Sequence, residues 1–385
     1  MSTAAPPLNG IRVVDLTRVL AGPFCTMLLG DMGAEVFKIE EPRHGDDTRG
    51  WAPFVDGSSS YFLGVNRSKK SVALDLKQPE GREVLTRLIE TADVLVENFR
   101  PGSLAALGFG YADTVRLNPR LVYCSISGYG QNGPRAHRPG YDVVIQGEAG
   151  LMNVTGFRDG EPTRVGIAVT DYLAGLYAVQ GILLALLERQ RSGKGQHVDL
   201  ALFDAMLSVM HLPVGIFFAT GEEPERQGND HPSIAPYETI QAKDGAVIVA
   251  VGNPRLWVQF CDALGVPDLC QDPRFQTNTA RLAHRDQLRA ALQPVFDAIG
   301  VDELIGRLEA HNVPCGTVRT ISGALTDPQV AARDMLVEMD YPTVGTIKVL
   351  GNPVKLSRTP YSIRLAPPRL GEHTDEVMAD LELEI

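Results

Sequence analysis

The chain has 385 residues, 44% of them hydrophobic and 22% charged, with 36 Lys and Arg against 47 Asp and Glu for a net charge of −11. This is the composition of a globular protein whose core needs no disulfide or metal staple. The acidic balance argues against a nucleic-acid coat or a basic membrane-surface protein, but it leaves room for a local basic pocket, because salt screens surface fields within about 8 Å.

The start, MSTAAPPLNG, has neither a basic region nor an apolar segment, so no secretory leader is expected. Ile11–Leu16 reads as a strand, and a helix follows from about Pro23 to Met32, with Pro at an early helical position. Glu35–Glu40 and Ser71–Leu76 read as strands, and Pro79–Ala92 as a helix with apolar residues at Val84, Leu85, Leu88 and Ile89. The runs Asp93–Val96 and Leu121–Ile126 suit buried parallel strands. This alternation predicts right-handed βαβ units and an open, Rossmann-like parallel α/β sheet. Gly128–Gly133 matches GxGxxG, but Pro134–Gly140 cannot open a helix directly after it. A mobile glycine-rich loop over a ligand is therefore expected rather than a dinucleotide site.

A long helix is predicted from Val169 to about Arg191. Its apolar stretch, Tyr172–Leu187, is shorter than the roughly 20 residues of a membrane span and reads as a core helix. Residues 219–235 look like a linker, and an Asp244-Gly245 turn between strand-like runs over 237–252 signals a hairpin. Helices follow from Pro254 to Glu309, and Gly345–Leu350 is strand-like. The predicted organisation is a large α/β domain over 1–220, completed by 326–385, and a smaller α+β domain over 225–325. The five cysteines, Cys25, Cys124, Cys261, Cys270 and Cys315, are odd in number and contain no CxxC, which fits a reducing, cytoplasmic setting. There is no HExxH, Walker A loop or GxSxG, and no histidine spacing for a metal.

Asp171 stands where an apolar run meets the long helix. The commoner reading of such an Asp is a helix N-cap. Apolar flanks, the small residues Ala174 and Gly175, and a second carboxylate in Gly140-Tyr141-Asp142 favour a chemical role as well. A carboxylate is ionised at neutral pH without a dedicated base, so it can attack an activated acyl group such as a thioester. Early basic residues, among them Arg18, Lys38, Arg49, Lys69 and Lys77, offer a phosphate site, and Asn98-Phe99-Arg100-Pro101-Gly102 follows a strand end where open α/β sheets bind ligands.

Several blocks in order, Asp15–Pro23, Gly33–Glu40, Gly45–Arg49, Asn66–Ser71, Val96–Gly102, Gly193–Gln196 and Leu370–Thr374, resemble the family III CoA-transferases of the carnitine CoA-transferase and racemase superfamily. The resemblance implies CoA transfer from an acyl-CoA thioester, succinyl-CoA by overall similarity, to a free dicarboxylic acid. Asp171 would be the nucleophile, passing through an aspartyl anhydride and an aspartyl–CoA thioester, with Tyr141 and Asp142 beside it. Val19, Leu20, Ala21, Leu74, Lys77, Asn98 and Phe99 match positions along the CoA, which is a substrate here and not a resident cofactor. Arg18 and Arg49 are candidates for the acceptor's distal carboxylate. An interlocked, ring-like homodimer is implied, with no nucleic-acid or membrane partner. Racemases of the superfamily carry His where Tyr141 stands, and formyl-CoA transferases carry a glycine run where this chain has Gln227–Pro232. An acyl-CoA racemase or epimerase and a non-catalytic CoA-binding subunit remain as other readings.

Overall fold

Val13, Val14, Val36, Val72, Leu95, Val96, Val122 and Cys124 are almost wholly buried, and their near-continuous apolar runs build a sheet covered on both faces. The structure is a computed structural model that describes residues 5–342 and 345–382. Residues 1–4, part of the start read above as carrying no secretory leader, lie outside the described residues.

The first structural unit runs through Leu151 and takes in Arg164–Gly221 and the chain from Pro328 onward. Its centre is a six-stranded sheet. We label these strands β1 (Arg12–Asp15), β2 (Glu35–Glu40), β3 (Lys70–Ala73), β4 (Val94–Glu97), β5 (Val122–Ser127) and β6 (His197–Ala201). Their spatial order is β3-β2-β1-β4-β5-β6, and every neighbouring pair is parallel. The helices that matter for the site are α1 (Ala21–Asp31), α2 (Pro79–Thr91), α3 (Asp142–Glu148) and α4 (Val169–Ser192). The chain leaves β1 toward β2 and later returns on its other side at β4. The switch point of this open sheet therefore opens between the carboxyl ends of β1 and β4.

The α/β class and parallel sheet agree with the sequence expectation. Edge strand β6 and helix α3 were not anticipated. β6 is short and only partly buried, so it lacks the apolar run of its neighbours. Leu336–Tyr341 was also missed; it pairs antiparallel with Gly345–Leu350.

By length and composition α4 could cross a membrane. In this fold its Ala174, Ala178 and Ile182 are fully buried. Gly175 lets α4 press against the first turn of α1: a Cβ there would lie 2.8 Å from the Ala21 carbonyl oxygen and 3.0 Å from the Phe24 ring. One turn away, Phe24 and Tyr172 meet edge to face, with centroids 5.0 Å apart.

The second unit comprises Met152–Thr163 and Glu222–Asp327. The early segment joins it through the Gly228 amide, which donates to the Gly156 carbonyl at 2.9 Å, and through Arg226, which donates to the Gly160 carbonyl at 2.9 Å. Its three-stranded antiparallel sheet holds the expected hairpin, Tyr237–Ala242 with Gly245–Ala250, flanked by Cys315–Thr317. Helices Pro254–Leu264, Arg285–Ala298 and Val301–Ala310 supply Trp257, Phe260, Phe296, Leu304 and Leu308 to its core.

Helix propensity alone says that Gly175→Ala stabilises by about 1 kcal/mol. The contact with Ala21 and Phe24 reverses that sign. We expect Gly175→Ala to lower the urea midpoint and Gly175→Val to cost about 1–3 kcal/mol, both measured by equilibrium unfolding.

Candidate active site

The turn after β1 is tied down by buried charge. Asp15 is fully buried; one of its oxygens accepts the Thr17 amide at 2.9 Å, and the other accepts Thr26 Oγ1 at 2.6 Å and Lys69 Nζ at 3.1 Å. Burial pushes this carboxyl up, but the charges of Lys69 and Lys38 and the Thr17 and Thr26 hydroxyls outweigh it and hold it at about 2. Lys69 also donates to the Pro23 carbonyl at 2.9 Å, which fixes the first turn of α1 to the sheet. Burial brings Lys69 down to about 8, against the pull of Asp15. Asn98, at the end of β4, brackets the next peptide: its Oδ1 accepts the Arg18 amide at 3.0 Å and its Nδ2 donates to the Arg18 carbonyl at 2.7 Å.

Asp171 lies in the first turn of α4, three residues inside the helix. It is not the N-cap; Ala168 holds that place and its side chain makes no capping bond. The capping work is done from α3. Asp142 Oδ1 accepts the Thr170 amide at 3.0 Å and the Thr170 hydroxyl at 2.8 Å. The other Asp142 oxygen accepts Gln146 Nε2 at 2.7 Å, and the fully buried Gln146 accepts the Val165 amide at 2.8 Å. The Ala21 amide at the start of α1 and Asp171's own amide favour the charged form of its carboxyl. Burial first, and the charge of Asp142 second, push the Asp171 carboxyl up to about 7, against these two amides.

Asp171 opens into a cavity of about 220 Å³ at the switch point. Val19, Ala21, Asn98, Phe99, Tyr141 and Arg18, all named from the sequence, line it with Asp171. Tyr141 is 65% exposed there. Asp142 does not line it, because both its oxygens face the backbone and side chains of α3 and α4. Leu20 faces instead a second cavity of about 790 Å³, shared with Tyr61, Arg164 and Tyr172.

Three sequence candidates are not brought to Asp171. Arg49 donates to both oxygens of Glu40 at 2.7 Å and to the Pro368 carbonyl at 3.1 Å, and its guanidinium lies over Phe62. It is fully engaged away from the cavity. Leu74 is buried in the sheet core and Lys77 is exposed; neither lines the cavity. In their place stand Arg100, named from the sequence only within the Asn98–Gly102 run, and Arg138 and Asp47, to which sequence reasoning gave no role. Arg18 pairs with Asp47 at 3.3 Å and Arg138 with Glu148 at 2.9 Å. Arg100 follows the recognised Asn98-Phe99 pair, and that adjacency was the available signal.

The glycine-rich loop after β5 borders the same cavity. Its glycine content reads as mobility, yet it is anchored. Gln131 donates its amide to Asp199 at 3.1 Å, Gly130 donates to Ser127 Oγ at 3.0 Å, and Gly128 and Gly140 cross so closely that a Cβ on either would meet the other's backbone within 2.8 Å. Among the described residues, no histidine lines the cavity and no cluster of His, Cys, Asp and Glu could hold a metal ion.

A half-buried carboxylate beside helix amides and cations is equipped for acyl transfer to and from an anionic thioester. The chain matches the model of CoA-transferase family III over residues 8–374. It is 42% identical to the succinate–glutarate CoA-transferase of Agrobacterium fabrum over 99% of this chain and 97% of that protein. It is 43% identical to the acetyl-CoA:oxalate CoA-transferase of Acetobacter aceti, over 91% and 89%. A crystal structure of a CAIB/BAIF family protein from Brucella suis superposes with a TM-score of 0.86 at 42% identity, covering 98% of this chain and 100% of that one. The protein therefore belongs to CoA-transferase family III and is an enzyme that transfers CoA.

Raising an acid's pKa on folding makes stability fall as pH rises between the unfolded and folded values, because the folded state binds the extra proton. For Asp171 that window runs from 3.8 to about 7. Asp171→Asn is expected to unfold at higher urea than the parent at pH 8, with the gap closing by about pH 4. Asp142→Asn keeps an acceptor for Thr170 and removes a like charge, so the Asp171 carboxyl should titrate lower, read by carbon NMR of labelled aspartate.

Proposed function

We propose that the enzyme moves CoA from succinyl-CoA to a free dicarboxylic acid, with Asp171 as nucleophile. The observation that carries this reading is the Asp171 carboxylate, opening into a cavity at the carboxyl edge of the parallel sheet that Ala21, the first residue of α1, also lines. An Asp171 oxygen attacks the thioester carbonyl carbon; the C–S bond breaks, CoA thiolate leaves, and an aspartyl–acyl anhydride remains. The thiolate then attacks the aspartyl carbonyl carbon, releasing the first acid as carboxylate and leaving an aspartyl–CoA thioester. The acceptor carboxylate displaces the thiolate to form a second anhydride. Thiolate attack on its acyl carbon yields the new acyl-CoA and restores Asp171.

Each step exchanges one anion for another, so no general base is needed. What the site must supply is donors for the developing oxyanions and protection from water. Val19, Ala21, Asn98 and Phe99 lie where the CoA arm would pass, and Tyr141 stands beside the reacting carbon. Arg18 is our candidate for the acceptor's distal carboxylate, with Arg100 and Arg138 as further cations on the same wall. Asp142 acts through Thr170 and Gln146, setting the head of α4. Relatives named for glutarate and for oxalate support a dicarboxylic acceptor. We take the enzyme to be a cytoplasmic homodimer; the exposed Leu176, Leu183, Leu184 and Leu187 of α4 offer a face for a second copy to cover.

Asp171→Asn and Asp171→Ala should abolish transfer while retaining acyl-CoA binding by calorimetry. Hydroxylamine should trap the parent enzyme as a hydroxamate on the peptide carrying Asp171, found by mass spectrometry. Turnover by Asp171→Ala would overturn the assignment. A panel of free acids with succinyl-CoA as donor then names the acceptor.

A further inference from the structure

We propose that the buried Lys38–Asp46 ion pair is a positioning device for transfer: it grips the Thr17–Leu20 turn at both ends, holds Val19 in a left-handed conformation, and so aims the Ala21 amide at Asp171. The proposal rests on the reading of Asp171 as nucleophile.

Val19 has φ of 72°, and it is the one β-branched side chain among the non-glycine residues described with positive φ. β-Branched residues avoid this region, so a surrounding structure must impose it. Asn98 holds the Arg18 peptide and the Leu20 carbonyl accepts the Phe24 amide at 2.8 Å, while the Thr17 carbonyl and the Val19 amide are left to the buried pair. Lys38 Nζ donates to the Thr17 carbonyl at 3.0 Å and to Asp46 Oδ2 at 2.9 Å. Asp46 Oδ1 accepts the Val19 amide at 3.2 Å, along with the Thr48 amide at 2.9 Å. Both charged side chains have no exposed surface. A single buried pair thus spans the turn from the carbonyl of residue 17 to the amide of residue 19. Directly after it comes Ala21, which lines the cavity with Asp171 and whose amide favours that carboxyl's charged form.

Burial opposes the charge on both partners, yet their mutual attraction keeps Asp46 below and Lys38 above its ordinary value. Replacing such a pair by apolar residues of similar volume is often neutral for stability. Its geometry is therefore the part that transfer would miss. Strain in a β-branched residue beside a reacting group is the kind of local constraint that functional sites retain.

The Ala21 N–H favours ionised Asp171. Letting the turn relax removes that support, raises the carboxyl's titration point, and moves the acid limb of kcat upward in pH. The other groups facing Asp171 are Asp142 from α3, Tyr172 of its own helix, and Arg18, Asp47, Arg100, Arg138 and Tyr141 around the cavity. The substitutions below leave all of them in place.

The test begins with hydroxylamine trapping on the parent enzyme. Absence of an Asp171 adduct removes the reading beneath the proposal; its presence leaves the hook to be judged separately. Two variants follow, Asp46→Glu, which keeps the charge but displaces the oxygens, and the double replacement Lys38→Met with Asp46→Leu. Each should lose about ten- to a hundredfold in kcat, with the KM for the donor unchanged and the acid limb displaced upward. Adding Val19→Gly, which is at ease at positive φ, should restore part of the kcat of the double variant. A folded variant with the parent's kcat and acid limb overturns the proposal. So does a loss of kcat with an unmoved acid limb and no response to Val19→Gly. Should the double variant not fold, Asp46→Glu decides through kcat and the acid limb.

Discussion

The rest of the site depends on bringing the Asp171 carboxyl to the N-terminus of α1, where the Ala21 amide favours its charge and both residues line one cavity. Two helices from distant parts of the chain must meet there. α4 approaches because Gly175 removes the side chain that would strike the Ala21 carbonyl. α1 begins where it does because Asp15 and Lys69 tie its first turn to the sheet from below. The head of α4 is set in turn by Asp142 and Gln146, so the position of Asp171 is fixed from both sides by groups that never reach the cavity.

The electrostatics follow from that packing. The chain carries a net charge of −11, yet its sheet edge hides two lysines without exposed side-chain surface, each on a carboxylate. These pairs hold their charges because oxygen and nitrogen partners replace the lost water. Asp171 has no cation of this kind; it has two amides and a neighbouring carboxylate. Its carboxyl therefore titrates near neutrality, where an anionic oxygen is available but only weakly stabilised. Weak stabilisation of the ground-state anion is what a carboxylate needs in order to attack a thioester carbon.

The cavity also bears on the acceptor. Relatives of nearly equal identity are named for glutarate and for oxalate. A few contacts beyond the reacting carboxylate separate such acids. In this chain the cations that line the cavity with Asp171 are Arg18, Arg100 and Arg138, not Arg49, whose guanidinium is held by Glu40. Arg18 and Arg138 already have acidic partners, Asp47 and Glu148.

The apolar runs of β1, β2, β4 and β5, the helical spacing over Pro79–Ala92 and the turn at Asp244-Gly245 were legible because each is a local pattern with a fixed period or turn chemistry. Val19, Ala21, Asn98 and Phe99 stand in the ordered blocks, whereas Asp171 and Tyr141 were singled out by an apolar run meeting a long helix and by the neighbouring Gly140-Tyr141-Asp142; all six line one cavity. Edge strand β6 was not, since a half-exposed strand loses the apolar run. Nor was the use of Asn98, whose side-chain amide is spent on the Arg18 backbone. Asp171 looked like an N-cap, and only the packed structure shows its carboxyl at the start of a different helix. By itself the sequence determined the fold class and the family and offered Asp171 as a candidate, because periodicity, composition and motifs act over a few neighbouring residues. Tertiary structure decided which charges are buried in pairs, which arginines are free to face the cavity, and which amide meets Asp171. Those depend on side chains brought together from segments many tens of residues apart, and no local pattern encodes that meeting.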